Sequence, residues 1–275
     1  MKKINFSKMV ASGNDFVVMY QVPGTEYRAK ELAKKMCDRK YGIGADGLLL
    51  LESSRAADIK MRIFNADGSE AEMCGNGARC VALFLVRSTE YRVQSKKIKI
   101  ETKAGIIEAE VKKDNIKIKL TDPESLKLNI PIKINNRILH VNSINTGVPH
   151  AVIFTEGLEK IDVFNLGRAI RYDKKFGSAG TNVDFVEVLK NDFIKIRTYE
   201  RGVEDETLAC GTGSVAAALI TALSTRYSVH GTQKTNVLTQ SSETLKVYFD
   251  RLNNEFQNVW LEGKARIVYK GEYNV

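Results

Sequence analysis

The spacing of apolar and polar residues predicts a chain built mainly of strands. β-branched and charged residues alternate in the segments IKIKIET, IIEAEVKK and IKIKLTD, as is typical of strands with one buried face. Two segments depart from this pattern, because ARCVALFLV (78–86) and SVAAALITAL (214–223) are apolar nearly all round. That composition predicts two helices buried in a core.

Both predicted helices belong to an internal repeat. Residues 72–83 read EMCGNGARCVAL and residues 208–219 read LACGTGSVAAAL, which places Cys74 and Cys210 before a Gly-x-Gly and 136 residues apart. Upstream, IKMRIF (59–64) matches IKIRTY (194–199), and Gly13 parallels Gly147. Three matches in the same order and at nearly the same offset indicate a duplication.

We therefore expect an α/β (α+β) fold of two pseudo-symmetric duplicated domains, each a mixed β-barrel-like sheet wrapped around a central buried helix. The turn-forming residues TDPESLKL (121–128) predict the link. The N-terminal domain would span residues 1–122 and the C-terminal domain residues 123–263, and the last strand (264–275) would pack on either. We expect the active site in the cleft between the two domains.

Composition and charge exclude several classes of function. No apolar run approaches the roughly 20 residues that cross a bilayer, and the start MKKINFSKMV lacks the features of a signal peptide. We therefore expect a cytoplasmic protein with no membrane partner. The net charge of +9 raises nucleic-acid binding as an alternative. Lys and Arg are scattered, however, and no nucleic-acid-binding motif is present, so we expect no nucleic-acid partner.

The four cysteines narrow the candidate chemistry. Their spacings contain no C-x2-C pair, and no histidine stands close to Cys74 and Cys80, so we expect no metal site. A disulfide framework is unusual in a cytoplasmic chain of this size. Cys37 and Cys80 lack the Gly-x-Gly setting and are interpreted as structural.

A cysteine at a helix start is a candidate acid or base. The free N–H groups and partial positive charge of the first helical turn favour the thiolate and lower the thiol pKa. The N–H groups of Gly75, Asn76, Gly211 and Thr212 can hold an anion such as a carboxylate. A structural turn explains either motif taken alone.

Two such sites related by duplication favour racemisation. Thiols on opposite sides of one carbon can remove a proton from one face and return a proton to the other. The N–H groups then stabilise the carboxylate as it gains enolate character, so no pyridoxal phosphate is needed and we expect no cofactor.

The motifs resemble the diaminopimelate epimerase family nearly from end to end. The segments are ASGNDFVV, YGIGADGLL, RIFNADGSEAEMCGNGARC, NTGVPHAV, GTNVDF and YERGVEDETLACGTG. The resemblance implies a homodimeric isomerase that interconverts LL- and meso-2,6-diaminopimelate in lysine and peptidoglycan biosynthesis.

The resemblance also implies a set of site residues. The acid/base thiols fall on Cys74 and Cys210, and contacts to the reacting end of the substrate fall on Asn14, Gly75, Asn76, Gly211 and Thr212. Contacts to the distal amino-acid group fall on Asn65, Asn182, Glu200 and Arg201. Glu200 is also a candidate for tuning a thiol, and His150 matches a catalytic histidine near the cysteines. Alternatively, His150 is a core histidine, Asn65 a turn former, and Glu200 with Arg201 a surface pair.

Two further interpretations remain open from the sequence. A proline or hydroxyproline racemase shares the two-cysteine logic, but its ring substrate has no distal group for Arg201 to hold. A non-catalytic anion-binding protein would use the helix starts without needing thiols. Gly47 and Val148 stand where some members of the resembled family have glutamine and asparagine, which leaves the contacts at these two positions undefined.

Overall fold

A computed structural model describes residues 3–21, 28–88, 96–134, 137–224 and 231–274. Within these residues the chain is a mixed α/β protein with eighteen strands and four α-helices. The helices are α1 (Ala29–Cys37), α2 (Gly75–Arg87), α3 (Val163–Arg171) and α4 (Gly211–Ser224). No helix in this part of the chain is long and apolar enough to cross a membrane.

Contacts divide the chain into two compact units. The first unit is Met1–Ile118 with Gly263–Val275, and the second is Lys119–Glu262. The strands of the first unit are β1 (Lys3–Ala11), β2 (Asn14–Tyr20), β3 (Gly47–Glu52), β4 (Ile59–Asn65), β5 (Glu70–Ala71), β6 (Lys97–Thr102), β7 (Gly105–Lys112), β8 (Asn115–Lys119) and β18 (Arg266–Asn274). Those of the second are β9 (Glu124–Ile134), β10 (Arg137–Asn145), β11 (Pro149–Phe154), β12 (Asn182–Lys190), β13 (Phe193–Glu200), β14 (Asp205–Thr207), β15 (Gly231–Leu238), β16 (Thr244–Leu252) and β17 (Glu255–Lys264).

Strands pair in the same order in both units. In the first, β1 lies antiparallel to β18 and β2, β2 is parallel to β3, β3 is antiparallel to β4, and β4 is antiparallel to β5 and parallel to β6. In the second, β10 lies antiparallel to β9 and β11, β11 is parallel to β12, β12 is antiparallel to β13, and β13 is antiparallel to β14 and parallel to β15. Antiparallel hairpins complete each unit, from β6 to β8 and from β15 to β17.

Side chains repeat along with the strands. Arg62 on β4 holds Glu70 through Nε and Nη2, at 2.8 and 3.2 Å. Arg197 on β13 holds Glu206 through the same two atoms, both at 2.7 Å. The pairing register identifies further equivalent positions. Phe16 of β2 pairs with Gly47 of β3, and His150 of β11 pairs with Asn182 of β12, so Phe16 corresponds to His150 and Gly47 to Asn182.

The two apolar segments form the predicted buried helices. Helix α2 contacts β1, β2, β4, β6, β7 and β18, and α4 contacts β10, β11, β12, β13, β15 and β16. Ten residues of each helix are buried, which explains why apolar residues occupy nearly the whole circumference.

Two features differ from the expected layout, and the structure gives the placement of the last strand, which the sequence left open. Helices α1 and α3 had no counterpart in the sequence interpretation; α1 forms because Ala29, Leu32, Ala33 and Met36 give it one buried face. The predicted link at 121–128 is mostly strand, since β9 begins at Glu124. The last strand, β18, pairs with β1 in the first unit.

Candidate active site

Cys74 is the N-cap residue of α2, with extended backbone angles of φ −145° and ψ 117°. The residue is half-buried, and its sulfur accepts a hydrogen bond from the N–H of Gly77 at 3.4 Å. The free N–H groups of a first helical turn stabilise negative charge, so this contact favours a thiolate.

A directional chain of hydrogen bonds leads away from this helix start. Buried Arg79 donates to Oδ1 of Asn76 at 2.7 Å, Asn76 donates to Oδ1 of Asn14 at 2.5 Å, and Asn14 donates to Asp46 at 3.2 Å. Arginine only donates and an ionised carboxylate only accepts. The two ends therefore fix the orientation of both amides, and each retains one further N–H.

A charged cluster supports the carboxylate end of that chain. Arg39 bonds Asp46 at 2.7 Å and Asp15 at 2.9 Å, and Lys8 lies 2.7 Å from Asp15. Partial burial acts to raise the pKa of Asp15, but the hydrogen bonds and charges of Arg39 and Lys8 hold it well below its usual range. The carboxylate of Asp15 is thus kept ionised beside this chain.

Cys210 immediately precedes α4 and is buried. Its sulfur lies 3.4 Å from Oγ1 of Thr212. Burial raises the pKa of the Cys210 thiol well above its ordinary value, and the charges of Glu200 and Asp184 add to this; Thr212 and the N–H of Gly213 oppose it only in part. The expectation that a helix start lowers the thiol pKa is therefore wrong for Cys210, because desolvation and nearby carboxylates outweigh the helix.

His150 on β11 lies beneath the second helix start. Its Nε2 is 2.9 Å from Oγ1 of Thr212, and its Nδ1 is 2.7 Å from Oδ2 of Asp184 on β12. Thr198 donates to the other oxygen of Asp184 at 2.7 Å. His150 and Asp184 are fully buried. His150 is therefore joined to the thiol through Thr212, and it is also a core residue.

Residues expected at the distal end lie around the ends of β12 and β13. Glu200 ends β13, and burial raises its carboxyl pKa, partly opposed by Thr207 and His150. Asn182 begins β12; its Oδ1 accepts from the N–H of Arg201 at 2.8 Å and its Nδ2 donates to Pro149 at 3.1 Å. Asn182 thus fixes the backbone that carries Arg201.

Arg201 differs from Arg171 and Arg197 of the second unit. Arg171 and Arg197 pair with Glu204 and Glu206. The guanidinium of Arg201 makes only a long contact of 3.5 Å to the carbonyl of Gly180, and no carboxylate in the described ranges pairs with it. Its charge is therefore available to an external carboxylate.

Asn65 is not joined to these groups by a described contact. It ends β4, is exposed, and donates to Ser69 at 2.9 Å within a turn. Its neighbour in register is Gly47, where a Cβ would lie 2.8 Å from the carbonyl oxygen of Phe64. This backbone therefore has no room for a side chain at 47. The carbonyl of Val148 is held by the N–H of Thr146 at 3.1 Å.

Asp184 and Arg79 were not among the predicted site residues. Asp184 stands in the apolar strand sequence NVDFV and Arg79 in the otherwise apolar segment ARCVALFLV. Alignment of the two halves of the sequence could have revealed them, because Asp184 aligns with Leu49 and Arg79 aligns with Val215. A charge that replaces a core residue in one copy of a repeat needs a buried partner.

Curated relatives match the chain over its whole length. The diaminopimelate epimerase of Methanocella arvoryzae is 42% identical over 290 residues, covering 100% of this chain and 98% of the relative. That of Caldanaerobacter subterraneus is 41% identical over 291 residues, covering 99% of this chain and 100% of the relative.

Solved structures with low sequence identity share the fold. A phenazine biosynthesis protein of the PhzF family from Bacillus anthracis superposes with a TM-score of 0.76 at 20% identity, covering 100% of both chains. A hydroxyproline epimerase from Agrobacterium vitis superposes with a TM-score of 0.74 at 15% identity, covering 99% of this chain and 91% of the other. The diaminopimelate epimerase profile matches residues 6–126 and 142–268. The chain therefore belongs to the diaminopimelate epimerase family.

Proposed function

We propose that this protein is an isomerase that interconverts LL- and meso-2,6-diaminopimelate without pyridoxal phosphate. The observation that carries the proposal is the match to diaminopimelate epimerases along the entire chain, at about 40% identity. Its biological role is then the supply of the meso isomer to lysine and peptidoglycan biosynthesis, in the cytoplasm.

The reaction uses the two helix-start thiols on one α-carbon. One sulfur, as thiolate, removes the α-proton, and the other, as thiol, gives a proton to the opposite face. Support comes from the repeated setting, since each cysteine precedes a Gly-x-Gly at the start of a buried helix. The first-turn N–H groups of α2 and α4 hold the carboxylate as negative charge develops on it.

Specificity for diaminopimelate resides in the distal amino-acid group. Arg201 binds the distal carboxylate through its guanidinium, and Glu200 binds the distal ammonium. Asn182 and Asn65 complete this end, Asn182 by holding the backbone of Arg201. The charge of Arg201, which no described carboxylate neutralises, supports this assignment.

We also propose that the two units are copies of one ancestral domain, each a barrel-like sheet around its central helix. The repeated strand pairing and the matching pairs Arg62–Glu70 and Arg197–Glu206 support a duplication. A homodimer is the expected assembly, and sedimentation of the purified protein tests it.

Deuterium exchange tests the function directly. The purified, reduced protein is incubated with LL-diaminopimelate in D2O without pyridoxal phosphate, and α-deuterium and stereochemistry are followed over time. We expect deuterium to enter as the meso isomer forms. If the substrate stays unlabelled under reducing conditions, the proposed epimerisation is wrong.

Two further arms separate the alternatives. Exchange with L-proline but not with diaminopimelate would identify a proline racemase-type enzyme. The double variant Cys74→Ser, Cys210→Ser addresses the non-catalytic interpretation. If wild type binds diaminopimelate without exchange and the double variant binds it equally well, the protein is an anion-binding protein.

A further inference from the structure

A continuous line of polar atoms runs inward from Cys210. The sulfur lies 3.4 Å from Oγ1 of Thr212, which lies 2.9 Å from Nε2 of His150. Nδ1 of His150 lies 2.7 Å from Oδ2 of Asp184. The line ends at Oδ1 of Asp184, which accepts from Thr198 at 2.7 Å.

The carboxylate at the inner end fixes the proton on the imidazole. An ionised carboxylate only accepts hydrogen bonds, so Nδ1 of His150 must carry a hydrogen to bond Asp184. Nε2 of the neutral ring is then an acceptor and takes the hydroxyl hydrogen of Thr212. The oxygen of Thr212 is left to accept the hydrogen of the Cys210 thiol.

We propose that Thr212 and His150 relay a proton to and from Cys210, and that Asp184 is the positioning residue that sets the tautomer of His150. The proposal deepens the epimerase function proposed above and rests on it. It gives the second thiol a means of ionising although it is buried.

The relay moves protons without changing the net charge of the site. The thiol proton passes from sulfur to Oγ1 of Thr212 while the hydroxyl proton of Thr212 passes to Nε2 of His150. The products are a thiolate and an imidazolium paired with Asp184. The reverse transfers restore the thiol and the neutral ring.

Local packing is built around the carboxylate. A Cβ at Gly213 would lie 2.4 Å from Oδ1 of Asp184, so only glycine lets the first turn of α4 approach so closely. In the first unit, Phe16 and Leu49 occupy the positions of His150 and Asp184. The relay therefore belongs to Cys210 alone and is not a requirement of the repeated backbone.

Nitrogen NMR of histidine-labelled protein tests the tautomer independently of catalysis. The chain has three histidines, and His140→Gln and His230→Gln variants assign the signals of His150. Nδ1 of His150 carries a proton in both states of the relay, so we expect a protonated Nδ1 in the wild type. In Asp184→Asn, where the amide can donate to Nδ1, we expect the proton on Nε2. A wild-type His150 without a proton on Nδ1 overturns the proposal.

Kinetics with a matched control separates positioning from packing. Asp184→Asn should lower kcat/KM by on the order of 10²-fold, as expected when the wrong tautomer is imposed on a catalytic histidine. Thr198→Val removes the bond to the other oxygen of the same carboxylate and should stay within about threefold of the wild type, since general acid–base catalysis is preserved.

The kinetic results decide whether the relay operates. Equal losses in Asp184→Asn and Thr198→Val, or a loss below about threefold in Asp184→Asn, overturn the relay, because general acid–base groups contribute about 10²-fold or more. If Asp184→Asn does not fold, the wild-type NMR result still decides. A wild type that is inactive on diaminopimelate but has a protonated Nδ1 refutes the proposed substrate and leaves the tautomer assignment intact.

Discussion

In the first unit, Cys74 precedes α2, whose buried second turn carries the cation Arg79. In the second unit, Cys210 precedes α4, which carries Val215 at the same distance from its cysteine. Beneath the two starts lie Leu49 and Asp184, each the nearest side chain to the second glycine of its motif. The repeated backbone thus carries an apolar residue and a buried cation in one copy, and a buried anion in the other.

That difference distinguishes the two thiols before substrate binds. The sulfur of Cys74 accepts an N–H at the start of α2, and a helix start favours negative charge. Cys210 faces the carboxylates of Glu200 and Asp184, which with burial raise its pKa. We therefore expect Cys74 to be the thiolate and Cys210 the thiol in the resting enzyme.

Removal of either thiol should have the largest effect. Cys74→Ala and Cys210→Ala should each lower the rate of epimerisation by on the order of 10³-fold, because each group transfers a proton at the reacting carbon. Cys80→Ala is the matched control, since Cys80 is buried in α2 and the equivalent residue of α4 is Ala216. Retention of a tenth of the wild-type rate by either thiol variant would show that the two helix starts are not both catalytic.

Substitution of the second glycine of each motif should destabilise the fold more at the second helix start than at the first. A Cβ at Gly77 meets the flexible end of Leu49 at 3.1 Å, whereas one at Gly213 meets Asp184 at 2.4 Å. We expect Gly213→Ala to lower the free energy of unfolding by about 2 kcal/mol, and Gly77→Ala by less than about 1 kcal/mol, because alanine also improves helix propensity. Urea unfolding of both variants measures the difference, and equal losses would show that Asp184 is free to move.

Sequence alone predicted the shared features of the two starts but not their difference. Periodicity and the repeat identified the two buried helices and singled out Cys74 and Cys210 from four cysteines. Helix α1 was missed because its pattern, AKELAKKMC, is short and rich in lysine. The partners of His150 were missed because its contact with Asp184 joins β11 to β12, and only strand register brings the two together.

The prediction of a lowered pKa for Cys210 was wrong for a related reason. A helix start is visible in sequence, whereas the burial of the thiol and its approach to Glu200 depend on how β13 packs under α4. Local motifs therefore indicate the two candidate thiols, whereas the direction of the pKa shift at Cys210 depends on tertiary packing.

Alkylation should expose the protonation difference with a smaller, still measurable effect. At neutral pH we expect iodoacetamide to modify Cys74 at least about tenfold faster than Cys210, because the thiolate is the nucleophile. The rate at Cys210 should still be rising above pH 9, since its pKa is raised well above that value. Peptide mapping at low extents of labelling measures both rates, and urea-unfolded protein, in which the two thiols should react alike, is the control. Faster labelling of Cys210 in the folded protein would reverse the assignment of resting thiolate and thiol.

Two glutamates, one in each unit, have pKa shifts of opposite direction and therefore affect the stability of the fold in opposite ways. Hydrogen bonds from Arg62 lower the pKa of Glu70 to about 2, helped by Lys103, whereas burial raises the pKa of Glu200. Ionised Glu70 therefore stabilises the fold above its unfolded pKa, and this stability is lost as the pH falls towards about 2. Ionised Glu200 destabilises the fold at neutral pH, and this penalty is relieved as the pH falls through its raised pKa.

Replacement of each glutamate by glutamine should change the free energy of unfolding in opposite directions. At pH 7 we expect Glu70→Gln to lower the free energy of unfolding by about 1 kcal/mol, the size of a partly exposed ion pair. Glu200→Gln should raise it by about 1 kcal/mol, because the amide removes a charge from a half-buried position. Urea unfolding at pH 7 and pH 4 measures both, and the gain from Glu200→Gln should shrink at pH 4, where the wild-type carboxyl of Glu200 is protonated. A loss of stability in Glu200→Gln at pH 7 would mean that the carboxylate is held by stabilising bonds, and the electrostatic contrast between the two helix starts would then rest on Asp184 alone.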